Sequence, residues 1–234
     1  MDLAWFGWDS PFTPRNPCRT FPPHITAHEF AAKETMNRDR IPSQCGAHAP
    51  TLGEDGVGRL RIFAGDVATS VIPVEIDTLL GSCVAVCLFD PKLRGGGMNH
   101  IMLPGDAKDT KSTRFGINAM ELLINDLMGK GGLKRRFVAK AFGGATVLQG
   151  LNFANVGDDN VRFVEDFLAF EKIPLIACRL GGVSGVHVYF RTDTGDVRLK
   201  SLDGNQLPEL IRTESSYRSK HEADKEKHGE ITLF

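Results

Sequence analysis

Leu79-Leu80-Gly81-Ser82-Cys83-Val84-Ala85-Val86-Cys87-Leu88-Phe89-Asp90-Pro91 is the stretch on which the fold turns. Val84 to Phe89 is a continuous apolar run, too short for a helix and stopped by Asp90-Pro91. It reads as a buried strand entering a turn. Gly95-Gly96-Gly97 reads as a flexible turn, and Met98 to Leu103 as the strand that returns from it. Upstream, Leu60, Ile62 and Ala64 alternate with Arg61 and Phe63 as a first strand, and Val71 to Ile76 is β-branched enough to be another. Downstream, the apolar residues 117, 120, 123, 124, 127 and 128 have the spacing of an amphipathic helix, Ile117 to Met128, stopped by Gly129, Gly131 and Gly132. Phe137 to Phe142 reads as a strand. Asp158 or Asp159 caps a second helix, Asn160 to Phe170, with Val161, Val164, Phe167 and Leu168 on its face. Leu175 to Cys178, Val186 to Phe190 and Val197 to Leu199 read as strands, the last two as a hairpin through Thr194-Gly195-Asp196. Many short strands with two helices predict an α+β domain over residues 59–212, a layered sandwich of mixed β-sheet with flanking helices.

Outside that domain the composition changes. Seven of the twelve prolines fall in the first fifty residues, which show no sustained period. Residues 1–58 therefore read as an irregular, Pro-rich extension with a helical turn or two around His28 to Asn37, and with Trp5, Phe6 and Trp8 mobile. Residues 213–234 read as a charged tail. A net charge of −1, from 28 basic and 29 acidic residues, points to neither nucleic acid nor an acidic membrane surface. Lys134-Arg135-Arg136 reads as a solvated strand end. No apolar run is long enough to cross a bilayer, and the N-terminus lacks the basic start of a signal peptide, so a cytoplasmic protein with mostly reduced thiols is expected. The odd, scattered set Cys18, Cys45, Cys83, Cys87 and Cys178 does not form a disulfide framework.

The chemistry concentrates at Cys83. Gly81 and Ser82 before it are small, so a substrate can approach closely and backbone N–H groups near the sulfur can stabilise an oxyanion. Asn99-His100 follows seventeen residues after Cys83, beyond the glycines, and neighbouring strands would set the imidazole beside the thiol. A histidine converts a thiol into a nucleophilic thiolate and later returns the proton to a leaving group. That pairing suits attack on a carboxamide, release of ammonia and hydrolysis of the thioester. A third group must hold the ring, and Thr78 and Asp77 are the local candidates. The plain alternative is that a buried cysteine is only a small hydrophobe, as Cys87 reads. A metal site from Cys83, Cys87 and His100 matches no strong zinc spacing. No organic cofactor and no metal are expected.

Leu79 to Cys87, Asp90-Pro91, Gly97-Met98-Asn99-His100-Ile101-Met102-Leu103-Pro104, Ala139-Lys140-Ala141-Phe142-Gly143-Gly144-Ala145, Val156-Gly157 with Asn160, Gly181-Gly182 and Thr194-Gly195 together resemble the chemoreceptor glutamine deamidase family, CheD, over most of residues 60–205. The resemblance implies a layered fold related to toxin-type cysteine deamidases and a Cys–His–Thr triad. It places Cys83 as nucleophile, His100 as base and Thr78 as third member, although some relatives carry one more residue between threonine and cysteine. It implies hydrolysis of selected glutamine side chains, on the cytoplasmic helical domain of methyl-accepting chemotaxis receptors, to glutamate and ammonia. Arg179 and His187 depart from the family pattern at positions where receptor or partner docking would feel the change. Hydrolysis of receptor glutamyl methyl esters would use the same nucleophile. A regulatory binding role toward a CheC-type chemotaxis phosphatase and a general cysteine peptidase are the readings from other classes.

Overall fold

A computed structural model of the chain describes residues 3–6, 51–52, 57–103, 110–146 and 156–202, together with 208, 210 and 212. In chain order the strands are β1 (Leu3–Phe6), β2 (Thr51–Leu52), β3 (Gly58–Arg61), β4 (Val67–Ser70), β5 (Val74–Leu80), β6 (Val84–Asp90), β7 (Gly95–Asn99), β8 (Val138–Gly143), β9 (Leu175–Leu180), β10 (Val186–Arg191) and β11 (Val197–Ser201). Helix α1 (Thr110–Gly129) lies between β7 and β8, and α2 (Val156–Phe170) between β8 and β9.

All residues of β6 are buried, as its unbroken apolar run requires. A strand buried on both faces needs a layer on each side. Its sheet runs β4-β7-β6-β8-β9, and the other sheet runs β1-β11-β10-β5-β3-β2. On one face Cys83, Ala85, Cys87 and Phe89 meet Ile76, Leu80, Val188 and Phe190 of the second sheet. On the other, Val84, Val86 and Leu88 meet Met120, Leu123 and Leu127 of α1 with Val164 and Leu168 of α2. Parallel pairs β3–β5 and β8–β9 among antiparallel neighbours make both sheets mixed. The architecture is therefore the expected α+β sandwich, layered sheet on sheet on helices.

Several elements differ from expectation, each for a local reason. Gly95–Gly97 is strand β7 and buried, not a flexible turn. These glycines serve close packing: a Cβ on Gly96 would lie 2.7 Å from the Leu88 carbonyl oxygen and 2.7 Å from the Phe190 ring, and one on Gly97 2.6 Å from the Ala68 carbonyl oxygen. The returning strand stops at Asn99, with Ile101 held to Val84 by a single bridge. Of the expected strand Val71 to Ile76, only Val74 to Ile76 is strand, in β5; Val71–Ile72 is a bend, closed by Ser70 Oγ donating to the Ile72 carbonyl at 2.8 Å. The bend separates β5 from β4, which ends at Ser70 and lies in the other sheet. Helix α2 begins at Val156 rather than Asn160, which places Asp158 and Asp159 in its first turn, where the positive end of the helix favours them. The stretch expected to be irregular supplies edge strands, β1 on β11 and β2 on β3, because sheet edges offer unpaired backbone groups to any extended segment. The turns expected around residues 28–37 and the tail from 213 lie outside the described residues.

Arg136 is not a solvated strand end. It binds the wholly buried Asp90, whose carboxylate also accepts the N–H groups of Lys92, Leu93 and Leu133. Burial alone would raise the Asp90 pKa; those bonds outweigh it and hold the group below the usual carboxylate range. Cys178, half-buried on edge strand β9, is disulfide-bonded, whereas Cys83 and Cys87 form no disulfide. Among the described residues, no helix is long and apolar enough to cross a membrane.

The glycine packing gives a contrast that urea denaturation resolves. Gly97→Ala is expected to lower stability by about 1–3 kcal/mol through overpacking. Gly129→Ala, where a Cβ meets nothing within 4 Å, is expected to leave the midpoint unchanged or raise it.

Candidate active site

Strand β5 ends at Leu80 in one sheet and β6 begins at Val84 in the other, so Gly81-Ser82-Cys83 is the crossing between layers. Each carbonyl of the crossing accepts a hydrogen bond: Gly81 from Ala145 N–H at 2.7 Å, Ser82 from Asn160 Nδ2 at 2.9 Å, and Cys83 from Gly144 N–H at 2.7 Å. The loop after β8 approaches so closely that a Cβ on Gly143, at φ +105°, would lie 2.2 Å from the Cys83 carbonyl oxygen. Only glycine fits that conformation and that distance.

His100 reaches the same place from β7. Val84 and Ile101 exchange backbone bonds of 3.0 and 2.8 Å, in the register of the β6–β7 ladder that pairs Cys87 with Met98. That register sets His100 opposite Ala85 and one diagonal step from Cys83, on the face where Cys83, Ala85, Met98 and Met102 share one core. The turn after Ile62 grips the His100 backbone from both sides: His100 N–H donates to the Asp66 carbonyl at 3.0 Å, and Gly65 N–H donates to the His100 carbonyl at 2.9 Å.

Thr78 on β5 completes the group. Its Oγ1 donates to the Ile62 carbonyl at 2.7 Å and lies 2.8 Å from His100 Nδ1. A hydroxyl has one proton to give. Because that proton is committed to Ile62, Nδ1 must be the donor to Thr78, and Nε2 then carries the lone pair. Nε2 is buried with no hydrogen-bond partner among the described residues. Burial pushes the His100 pKa down to about 3, so the ring is neutral at physiological pH. The result is an oriented, unprotonated base on the face that carries Cys83. His100 also lines a cavity of about 320 Å³, with Asp66, Met102, Phe115 and Asn118 among its other walls. Cys83 itself is wholly buried.

Of the two candidates for the third group, Asp77 is turned away. Neighbours on a strand face opposite sides, and Asp77 instead receives Arg61 Nε at 2.8 Å and lies 2.7 Å from His187 Nε2 on the outer face. His187, expected to affect docking, is buried there against Asp77 and Tyr189, whereas Arg179 is exposed. Cys87 has Lys140 as its cross-strand neighbour, and burial pushes its thiol well above the ordinary range. Among the described residues, no three His, Cys, Asp or Glu side chains converge to hold a metal ion. Sequence reasoning missed the Ile62 carbonyl, which fixes the tautomer, and the work done by Asn160; a polar residue among the apolar positions of α2 was the available signal for the latter.

Comparison with known proteins identifies the family. A family model described as CheD chemotactic sensory transduction matches residues 102–201. "Probable chemoreceptor glutamine deamidase CheD 1" of Shewanella oneidensis is 42% identical over 164 residues, which cover 68% of this chain and 80% of that protein. The chain belongs to the CheD family. Other CheD relatives are a protein of Chromobacterium violaceum, 40% identical over 75% of this chain and 89% of its own length, and one of Burkholderia thailandensis, 47% identical over 67% and 69%. The stretch matched by the CheD model begins two residues after His100, so Cys83, His100 and Thr78 lie outside it.

Two outcomes follow from the buried imidazole. Thr78→Val leaves His100 Nδ1–H and the Ile62 carbonyl unpaired, and chemical denaturation should show a loss of about 1–3 kcal/mol, largely restored in Thr78→Ser. The second outcome concerns pH. His100 titrates at about 3 when folded, against an ordinary 6.5. Between those values the unfolded chain holds more protons, so this contribution to stability is complete above pH 6.5 and is lost as pH falls toward 3. The slope approaches about 1.4 kcal/mol per pH unit, and pH-dependent unfolding of His100→Gln should lack it.

Proposed function

We propose that this chain hydrolyses selected glutamine side chains of chemoreceptors to glutamate, with Cys83 as nucleophile, His100 as general base and Thr78 as the residue that orients it. The observation that carries the reading is the Thr78-bonded imidazole, whose bare Nε2 shares a sheet face with Cys83. Nε2 takes the thiol proton as sulfur attacks the side-chain carbonyl carbon. The tetrahedral oxyanion is stabilised by backbone N–H groups of the Gly81-Ser82-Cys83 crossing. Collapse breaks the C–N bond, the imidazolium returns its proton to nitrogen, and ammonia leaves a thioester. Water, deprotonated by Nε2, then attacks the thioester, releasing glutamate and restoring the thiol. No step needs a metal or an organic cofactor.

The family relatives are named for receptor deamidation, which favours the cytoplasmic signalling domain of a receptor as substrate and the cytoplasm as the place of action. Each conversion adds a negative charge to a helical bundle, a local change with a global readout. The family resemblance also favours a CheC-type phosphatase as a second, regulatory partner.

Mass spectrometry of a receptor cytoplasmic fragment tests the reaction. Wild type is expected to convert defined glutamines to glutamate, and Cys83→Ala and His100→Gln to lose at least about 10³-fold of that rate. Absence of conversion by folded, reduced wild type across several receptors would overturn the proposal.

A further inference from the structure

Cys83 and His100 sit on separate segments, and catalysis requires their spacing to be held. The Val84–Ile101 bridge joins the segments on their core-facing side. A second connection comes from helix α2. Asn160 is wholly buried; its Nδ2 donates to the Ser82 carbonyl at 2.9 Å, and its Oδ1 accepts the Leu103 N–H at 2.9 Å. One planar amide thus spans the residue before the nucleophile and the residue three after the base. Leucine, aspartate or serine cannot make both bonds at neutral pH, because only a neutral amide of this length offers a donor and an acceptor together.

The helix is seated to allow that reach. A Cβ on Gly157 would lie 2.5 Å from the Gly144 carbonyl oxygen, and one on Gly144, at φ +71°, 2.4 Å from Val161 Cγ2. Backbone therefore packs on backbone where α2 meets the loop after β8, the same loop whose Gly144 and Ala145 N–H groups hold the crossing. The two glycines set the depth of the helix, and Asn160, one turn on, converts that depth into a fixed separation of the two segments that carry Ser82 and Leu103.

We propose that Asn160 is a positioning residue for the reaction, an amide clamp that sets Cys83 against His100 through Ser82 and Leu103. The proposal rests on the deamidase reading for its consequence in turnover, but its immediate effect is on the thiol. The alkylation rate at Cys83 by iodoacetamide, mapped by mass spectrometry, needs no receptor and reads the Cys83–His100 pairing directly. Asn160→Ser keeps a polar group too short to span both partners, and is expected to slow alkylation and lower kcat by about 10–100-fold with KM little changed. Asn160→Asp adds a signature that a merely structural residue would not show. Ionised, its carboxylate can only accept and abandons the Ser82 carbonyl; protonated, it donates and accepts like the amide. Burial raises a carboxyl pKa, so the ratio of variant to wild-type alkylation should climb toward one as pH is lowered from about 8 to about 5.5, while the Asn160→Ser ratio stays flat. Wild-type alkylation in Asn160→Ser, or an Asn160→Asp ratio that does not move with pH in protein shown folded by circular dichroism, would overturn the clamp. Failure of wild type to deamidate would instead overturn the proposed reaction and leave this readout intact.

Discussion

The structure depends on a crossing that must change layers without abandoning a buried carbonyl. Between β5 and β6 the chain leaves one sheet for the other, and ladder bonding lapses over Gly81-Ser82-Cys83. A buried, unpaired carbonyl costs about as much as a lost hydrogen bond, commonly 1–3 kcal/mol. Here all three carbonyls find donors from outside the ladder, two from the loop after β8 and one from Asn160. The elements that satisfy this polar requirement also hold Cys83 in place. The glycines at 143, 144 and 157 are what allow them to come close enough.

The same sandwich carries two cysteines on one face of one strand direction, and it gives them opposite fates. Cys87 is enclosed opposite Lys140, with its thiol stabilised by burial in the protonated form. Cys83 lies at the strand mouth, on the face that also carries an imidazole whose tautomer is set in turn by Thr78 and Ile62. A thiol's reactivity depends on such a neighbourhood rather than on the residue type. The burial that holds the Cys87 thiol protonated also holds the His100 ring neutral, because both enclosures disfavour the charged form.

Strand alternation separates Thr78 from Asp77. Thr78 and Asp77 are adjacent in sequence but face opposite sides of β5, so one enters the inter-sheet space and the other joins Arg61 and His187 outside. The expected strand at Val71 to Ile76 stopped short of both residues, and without the correct strand bounds the alternation could not be applied.

By itself the sequence determined the apolar run of β6, the periodic core of α1, the cysteine at the strand mouth and the histidine after the glycines, because these are one-dimensional signals of hydrophobicity, period and spacing. It misplaced the triglycine: a flexible turn and a close-packed strand share a composition, and only the Leu88 carbonyl and the Phe190 ring beside Gly96 distinguish them. Tertiary structure alone decided which sheet each half of residues 67–80 enters, which tautomer His100 holds, and that Asn160 joins two segments remote from it in sequence. Those facts depend on directional hydrogen bonds between residues separated by 16 to 78 positions, and a donor's partner at that separation is set by how layers stack, which no local pattern encodes.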